Sequence, residues 1–120
     1  MQDLKQRTFV FSINVAKLLK DLPYDFVNRA YINQLIRCSS SIGANYRAER
    51  RAKSDADFIY KLKIVEEEND ESIYFLELLL EFNPNFKVKI TELINEANEL
   101  LKIFVASIIT AKQRINSNKT

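Results

Sequence analysis

Apolar side chains recur along this chain at steps of three and four, which is the period of an amphipathic helix. About residues 3–20 place Leu4, Phe11, Val15, Leu18 and Leu19 on one broad face. Pro23 breaks the pattern, and Asp25 is placed to cap the next helix. From Asp25 to Ala52 the periodic positions are Ile32, Leu35, Ile36, Ser39, Ile42, Gly43 and Tyr46. The third segment opens at Ser54-Asp55-Ala56-Asp57, which resembles a capping box with Asp in place of the usual Glu or Gln. Asp55 and Asp57 also suit the positive end of a helix dipole. Its stripe is Phe58, Leu62, Val65, Asn69, Ile73 (or Ser72), Leu76 and Leu80, and Asn83-Pro84-Asn85 stops it. The fourth, about residues 86–115, shows Ile90, Leu93, Ile94, Ala97, Leu101, Phe104, Ile108, Ala111 and Ile115.

The stretch "RCSSSIGANYRAERRAKSDADF" (37–58) complicates the second segment. It holds three consecutive serines together with the only glycine and the only cysteine. Composition would make it a loop, yet the three-and-four register runs unbroken from Leu35 to Tyr46. A glycine inside a helix costs roughly 1 kcal/mol relative to alanine, tolerable where small side chains admit a neighbouring helix. Ser39, Ser40, Gly43 and Ala44 are the candidates for such close packing. Periodicity alone leaves both a continuous helix and a break near Gly43 open.

Composition supports few, long elements. One Gly and two Pro in 120 residues supply too few turns for a sheet protein. The expectation is a single all-α domain over residues 1–120, an antiparallel up-down four-helix bundle. The lone Cys38 forms no intrachain disulfide, there is no signal-like apolar stretch at the start, and the longest apolar run, "IFVASIITA", is too short to span a membrane. A cytoplasmic protein without membrane contact is expected.

The chemistry that is missing narrows function further. With no histidine, Ser-His-Asp and Cys-His catalysis, Glu-x-x-His di-iron pairs and ordinary zinc sites are excluded. One glycine cannot make a phosphate-cradling loop. Cys38 reads as a small apolar core residue. The acids between Glu66 and Glu71 lie on one straight helix and cannot wrap a cation unaided. No enzyme activity, metal or cofactor is expected.

Charge is what remains. Net charge is only +2, but residues 1–60 carry ten bases and six acids, and residues 61–120 eight and ten. Arg47, Arg50, Arg51 and Lys53 cluster where the second helix ends. They suit phosphate binding, or simply a solvated helix end with cations near its negative dipole. Glu68 and Glu71 share a strip with Ile64 and Phe75, and partly buried carboxylates need cations; Arg37 and Arg47 are candidates. The alternative is an acidic face in water. Helices three and four also bear more large apolar residues than one stripe uses, which suggests burial against another protomer.

Finally, "QLIRCSSSIGANYRAERRAKSDADFIYKLKIVEEENDES" resembles the core of the four-helix-bundle proteins encoded in intervening sequences of 23S ribosomal RNA. The matching pattern is Arg37, the serine run into Ser-Ile-Gly-Ala-Asn-Tyr46, Ser54, Asp57-Phe58-Ile59, Lys61-Leu62, and Glu68 with Glu71. Tyr74 and Phe75 stand where the family has an aromatic and a Trp, and Asn69 where it has Ala. The resemblance implies a helix continuous through the Ser-Ile-Gly-Ala-Asn segment and a homopentameric barrel. Because Arg37 and Glu71 both belong to the matched pattern and sit on adjacent helices, Arg37 is the expected partner of a Glu71 partly removed from water, an architectural ion pair. A more distant similarity is to accessory proteins of diversity-generating retroelements, pentameric bundles that bind nucleic acid and a reverse transcriptase. Two functions stay open: binding of RNA or DNA phosphates through basic side chains, and docking of a protein partner without nucleic acid.

Overall fold

The computed structural model describes residues 3–49 and 51–118, so Arg50 lies outside the described residues. It contains four α-helices and, among those residues, no strand. They are α1 (Leu4–Asp21), α2 (Phe26–Glu49), α3 (Asp55–Phe82) and α4 (Lys87–Asn118), with a short 3-10 turn, Pro84–Phe86, before α4. No helix among the described residues is long and apolar enough to cross a membrane.

The starts of α1, α2 and α3 have local causes. The Asp3 carboxylate accepts from Lys5 N at 3.2 Å, and Asp25 Oδ1 from Asn28 N at 2.8 Å, each satisfying an orphan amide of a first turn. Ser54 Oγ accepts from Asp57 N at 3.1 Å. The return arm of this box differs from the standard one: Asp57 Oδ2 accepts from Lys53 N, one residue before the cap, at 3.1 Å. It also takes Lys61 Nζ at 2.6 Å. The Lys61 hydrogen bond, then the Lys53 amide, hold the Asp57 carboxyl below its usual range.

α2 runs without interruption through Ser39–Asn45, and Gly43 keeps a negative φ. Gly43 is there for space. A Cβ at this position would stand 3.3 Å from Thr8 Oγ1 of α1, tighter than ordinary contact. Ser40 Oγ donates to Ile36 O at 2.7 Å and Ser41 Oγ to Arg37 O at 2.9 Å, the back-bonding that lets serines sit inside a helix. α2 ends at Glu49 rather than at Ala52. Arg51 N turns back to Ala48 O at 3.0 Å, and the chain then extends into the Ser54 cap.

The core is a continuous cluster from all four helices, with Val15, Leu35, Ile42, Val65, Leu76, Leu79, Leu100 and Phe104 fully buried. Two expected positions shift. Ile36 is 38% exposed while Cys38, two residues on, is fully buried. On α3, Leu79 is buried and Leu80 only partly. Both shifts reflect a real helix drifting from a simple three-four count as neighbours change along its length.

Three polar features stand inside this core. Burial pushes the Cys38 thiol up in pKa, with Ser72 Oγ 3.3 Å from its sulfur, so it is a packed thiol and a poor nucleophile. Asn69 is fully buried and neither end of its amide meets a protein partner. The third closes one end of the molecule. Asn28 Nδ2 donates to Asn83 Oδ1 at 2.8 Å and Asn83 Nδ2 returns to Asn28 Oδ1 at 2.9 Å. Asn28 also donates to Pro23 O and Asn83 to Leu79 O, each at 2.8 Å. The α1–α2 connection is thereby tied to the end of α3.

Candidate nucleic-acid interface

Several cations are already neutralised. Arg7 grips Glu96 with two hydrogen bonds of 2.8 Å, the hydrogen bonds raising its already high pKa. Arg114 lies 3.5 Å from Asp55 and stacks its guanidinium 5.8 Å from the Phe58 ring centroid. Lys89 pairs with Asp21 at 3.9 Å and Lys102 with Glu99 at 3.9 Å.

Arg37 belongs to the same class. Its Nη2 reaches Glu71 Oε1 at 2.8 Å, and its Nη1 lies 3.5 Å from Glu68 Oε2. The expected Arg37–Glu71 pair therefore exists within one chain, but its exposure differs from the expectation. The Arg37 side chain is 52% exposed and Glu71 36%, whereas Glu68 is 20% exposed. Glu68 Oε2 is fully covered yet makes no hydrogen bond, because 3.5 Å to Arg37 is an ion-pair distance only. The more buried carboxylate is thus Glu68. An ion pair this open contributes less than about 1 kcal/mol within one chain. Glu71→Ala and Arg37→Ala are each expected to cost below about 1 kcal/mol in a dilute single chain, the double variant less than their sum. A loss of several kilocalories in a thermal double-mutant cycle would show that an assembly covers the strip.

The basic cluster behaves differently. Arg47 sits in the last turn of α2, exposed, with its guanidinium 5.6 Å from the ring centroid of Phe9 on α1. It shares a groove with Lys5, Phe9, Ser12, Ser40, Gly43 and Ala44. Arg51 and Lys53 are exposed in the turn after α2, Lys53 near enough to Asp57 to help lower its pKa. Among the described residues, no carboxylate stands within ion-pair distance of Lys5, Arg47 or Arg51. Arg47 pairs with neither Glu68 nor Glu71.

The four small residues divide between two surfaces. Ser39 and Gly43 are buried toward α1, where Ser12 Oγ donates to Ser39 O at 3.1 Å. Ser40 and Ala44 are exposed and make no helix contact of that kind; together with buried Gly43 they line the Arg47 groove. Lys5 and Phe9 were not singled out by sequence reasoning. Nothing in their spacing marks them, and only the pairing of α1 with α2 brings them to Arg47.

The family model for the 23S rRNA-intervening sequence protein matches residues 2–106 of this sequence. The chain belongs to that family. Its membership covers all of α1, α2 and α3 and most of α4, including every residue of the groove. Among solved structures, the chain is similar to a protein of unknown function from the S23 ribosomal protein family of Bacteroides thetaiotaomicron. The two share 31% identity and a TM-score of 0.79, over 88% of this chain and 98% of that one. No curated protein is significantly similar. For this member of the 23S rRNA-intervening sequence family, the Ser-Ile-Gly-Ala-Asn segment lies within a helix, and its only glycine marks the close approach of α1.

Proposed function

We propose that this 23S rRNA-intervening sequence family member is a non-enzymatic, antiparallel up-down bundle that assembles with copies of itself, as a homopentamer, and binds RNA or DNA phosphates. The observation that carries the binding reading is the division of the cations into two classes. Arg7, Arg37 and Arg114 are held by carboxylates, while Lys5 and Arg47 share one groove with none in ion-pair distance among the described residues, and exposed Arg51 and Lys53 follow in the turn after α2. Unneutralised guanidinium and ammonium groups in one place are what a phosphate backbone recognises, without base sequence. Cross-helix contacts support the up-down order. Thr8 meets Gly43 and Ser12 meets Ser39; Asn28 meets Asn83 and Arg37 meets Glu71. In each pair of contacts one number rises as the other falls.

The apolar support for assembly is broader and thinner than helices three and four alone. Ile73, Leu76 and Leu79 are consumed by the chain's own core. Large apolar side chains left outside come from every helix, among them Ile13, Ile36, Tyr60, Tyr74 and Ile109.

A protein-docking reading is favoured by a different place. Tyr24, Phe26, Phe82 and Val88 are all more than half exposed, at 66%, 79%, 54% and 72%, near the Asn28–Asn83 lock. Such a patch suits a protein partner, a reverse transcriptase-like one included. Fluorescence anisotropy with mixed RNA and DNA, paired with light scattering, separates the readings. Phosphate binding should fall with salt at a log–log slope near −0.7 per phosphate neutralised on single strands. Absence of binding at low salt would move the preference to protein docking, and a monomer at micromolar concentration would remove the assembly.

A further inference from the structure

We propose that the groove between α1 and α2 seats one unpaired nucleobase, making single-stranded RNA or DNA the preferred form of the ligand. This rests on the nucleic-acid reading and adds to it a contact that phosphate neutralisation does not need.

The groove has three parts. Its wall is Phe9, a ring 47% exposed. Over one face of that ring lies the Arg47 guanidinium, 5.6 Å from the centroid, leaving a base the guanidinium plane and the exposed remainder of the ring. Its floor is Ser40, Gly43 and Ala44, side chains too small to fill it. The space is about 270 Å³, which suits a flat ring rather than a whole drug-sized ligand. Lys5 and Arg47 stand at its edges with no carboxylate within ion-pair distance among the described residues.

A second groove shows why the charge matters. Phe58 and Arg114 make the same ring-and-guanidinium contact at 5.8 Å over small α4 residues. There Asp55, 3.5 Å from Arg114, supplies a negative charge that repels a phosphate. At Phe9 nothing comparable intervenes, so a strand can place its backbone on Lys5 while a base stacks on the Arg47 guanidinium or on the part of the ring that it leaves exposed. Every base has a π-face, so stacking on an aromatic side chain or guanidinium plane tolerates any sequence. A duplex keeps its bases stacked on one another and cannot offer one. Sequence spacing could not show this site, because its ring and its guanidinium come from different helices.

The chain has no tryptophan, so Phe9→Trp reports from the groove alone. Oligocytidylate should quench that emission saturably, and a duplex of equal phosphate concentration should not. Phe9→Leu keeps apolar bulk and should weaken oligocytidylate binding about ten-fold, with duplex binding unchanged and the helical circular dichroism intact. Equal oligocytidylate affinity in Phe9→Leu overturns this site while leaving phosphate binding standing. No binding by the parent protein overturns both. Emission that ignores oligocytidylate and shifts blue as protein concentration rises overturns it in favour of a second copy covering the groove.

Discussion

Asn83→Ala is expected to lower the unfolding free energy by about 3 kcal/mol and the melting temperature by roughly 10 °C. The substitution removes a donor from two acceptors, Asn28 Oδ1 and Leu79 O. Asn28 is 1% exposed, so its stranded carbonyl has little water to turn to. Each buried group left unpaired costs about 1–3 kcal/mol. Asn28→Ala should behave alike, since it strands Asn83 Oδ1 and Pro23 O. Joint replacement by leucine, Asn28→Leu with Asn83→Leu, removes both amides together and should cost less than the two alanine variants added. Chemical denaturation of the four proteins decides it. Single losses below about 1 kcal/mol would mean that the lock is ornamental to stability.

Reversing two of the unneutralised charges, Arg47→Glu with Arg51→Glu, should weaken nucleic-acid binding at least about a hundred-fold at low salt. Two phosphate contacts become repulsions, and the salt slope should shrink by about 1.4 on single strands, 0.7 for each contact. The control carries the same change in net charge at the other end of the molecule. Lys87→Glu with Lys89→Glu, at the start of α4, should leave both affinity and slope nearly intact. Neither pair alters a buried residue, so circular dichroism and particle size should match the parent. If both pairs weaken binding equally, the protein attracts nucleic acid by net charge alone and Arg47 marks no site.

How much of this was readable from the chain depended on whether a feature is local. Caps and helix spans were, because Asp25, Ser54 and Asp57 act on amides within three or four residues. The continuity of α2 through three serines and a glycine was left open by its register and came only from the family pattern, because serine and glycine carry no strong helix signal of their own. The Arg37–Glu71 pair was readable as partners on facing helices, but its openness was not, since exposure depends on what lies beside a strip. Asn28–Asn83 and the Phe9–Arg47 groove were invisible. Their members are 55 and 38 positions apart, and asparagine beside proline reads as turn chemistry whether or not its amide has a buried mate. Ser40 and Ala44 were grouped with Ser39 and Gly43 by size, while adjacent residues on a helix point in directions about 100° apart, so the set split between interior and surface.

The seam between α1 and α4 has a consequence for how the molecule breathes. α1 is the shortest helix, and it lies on α2 through Thr8 at Gly43 and Ser12 at Ser39. Toward α4 it keeps the Arg7–Glu96 clasp, beyond which Val10, Asn14, Lys17, Asp21, Lys89 and Glu92 border an open groove of about 490 Å³. Local opening follows sparse packing. α1 buries Phe11, Val15, Leu18 and Leu19, but it is short and meets α4 across that open groove, so its amides should trade protium for deuterium before those of α3. Because the base-seating wall, Phe9, rides on that helix, the affinity of the groove is tied to the fraction of time α1 stays docked.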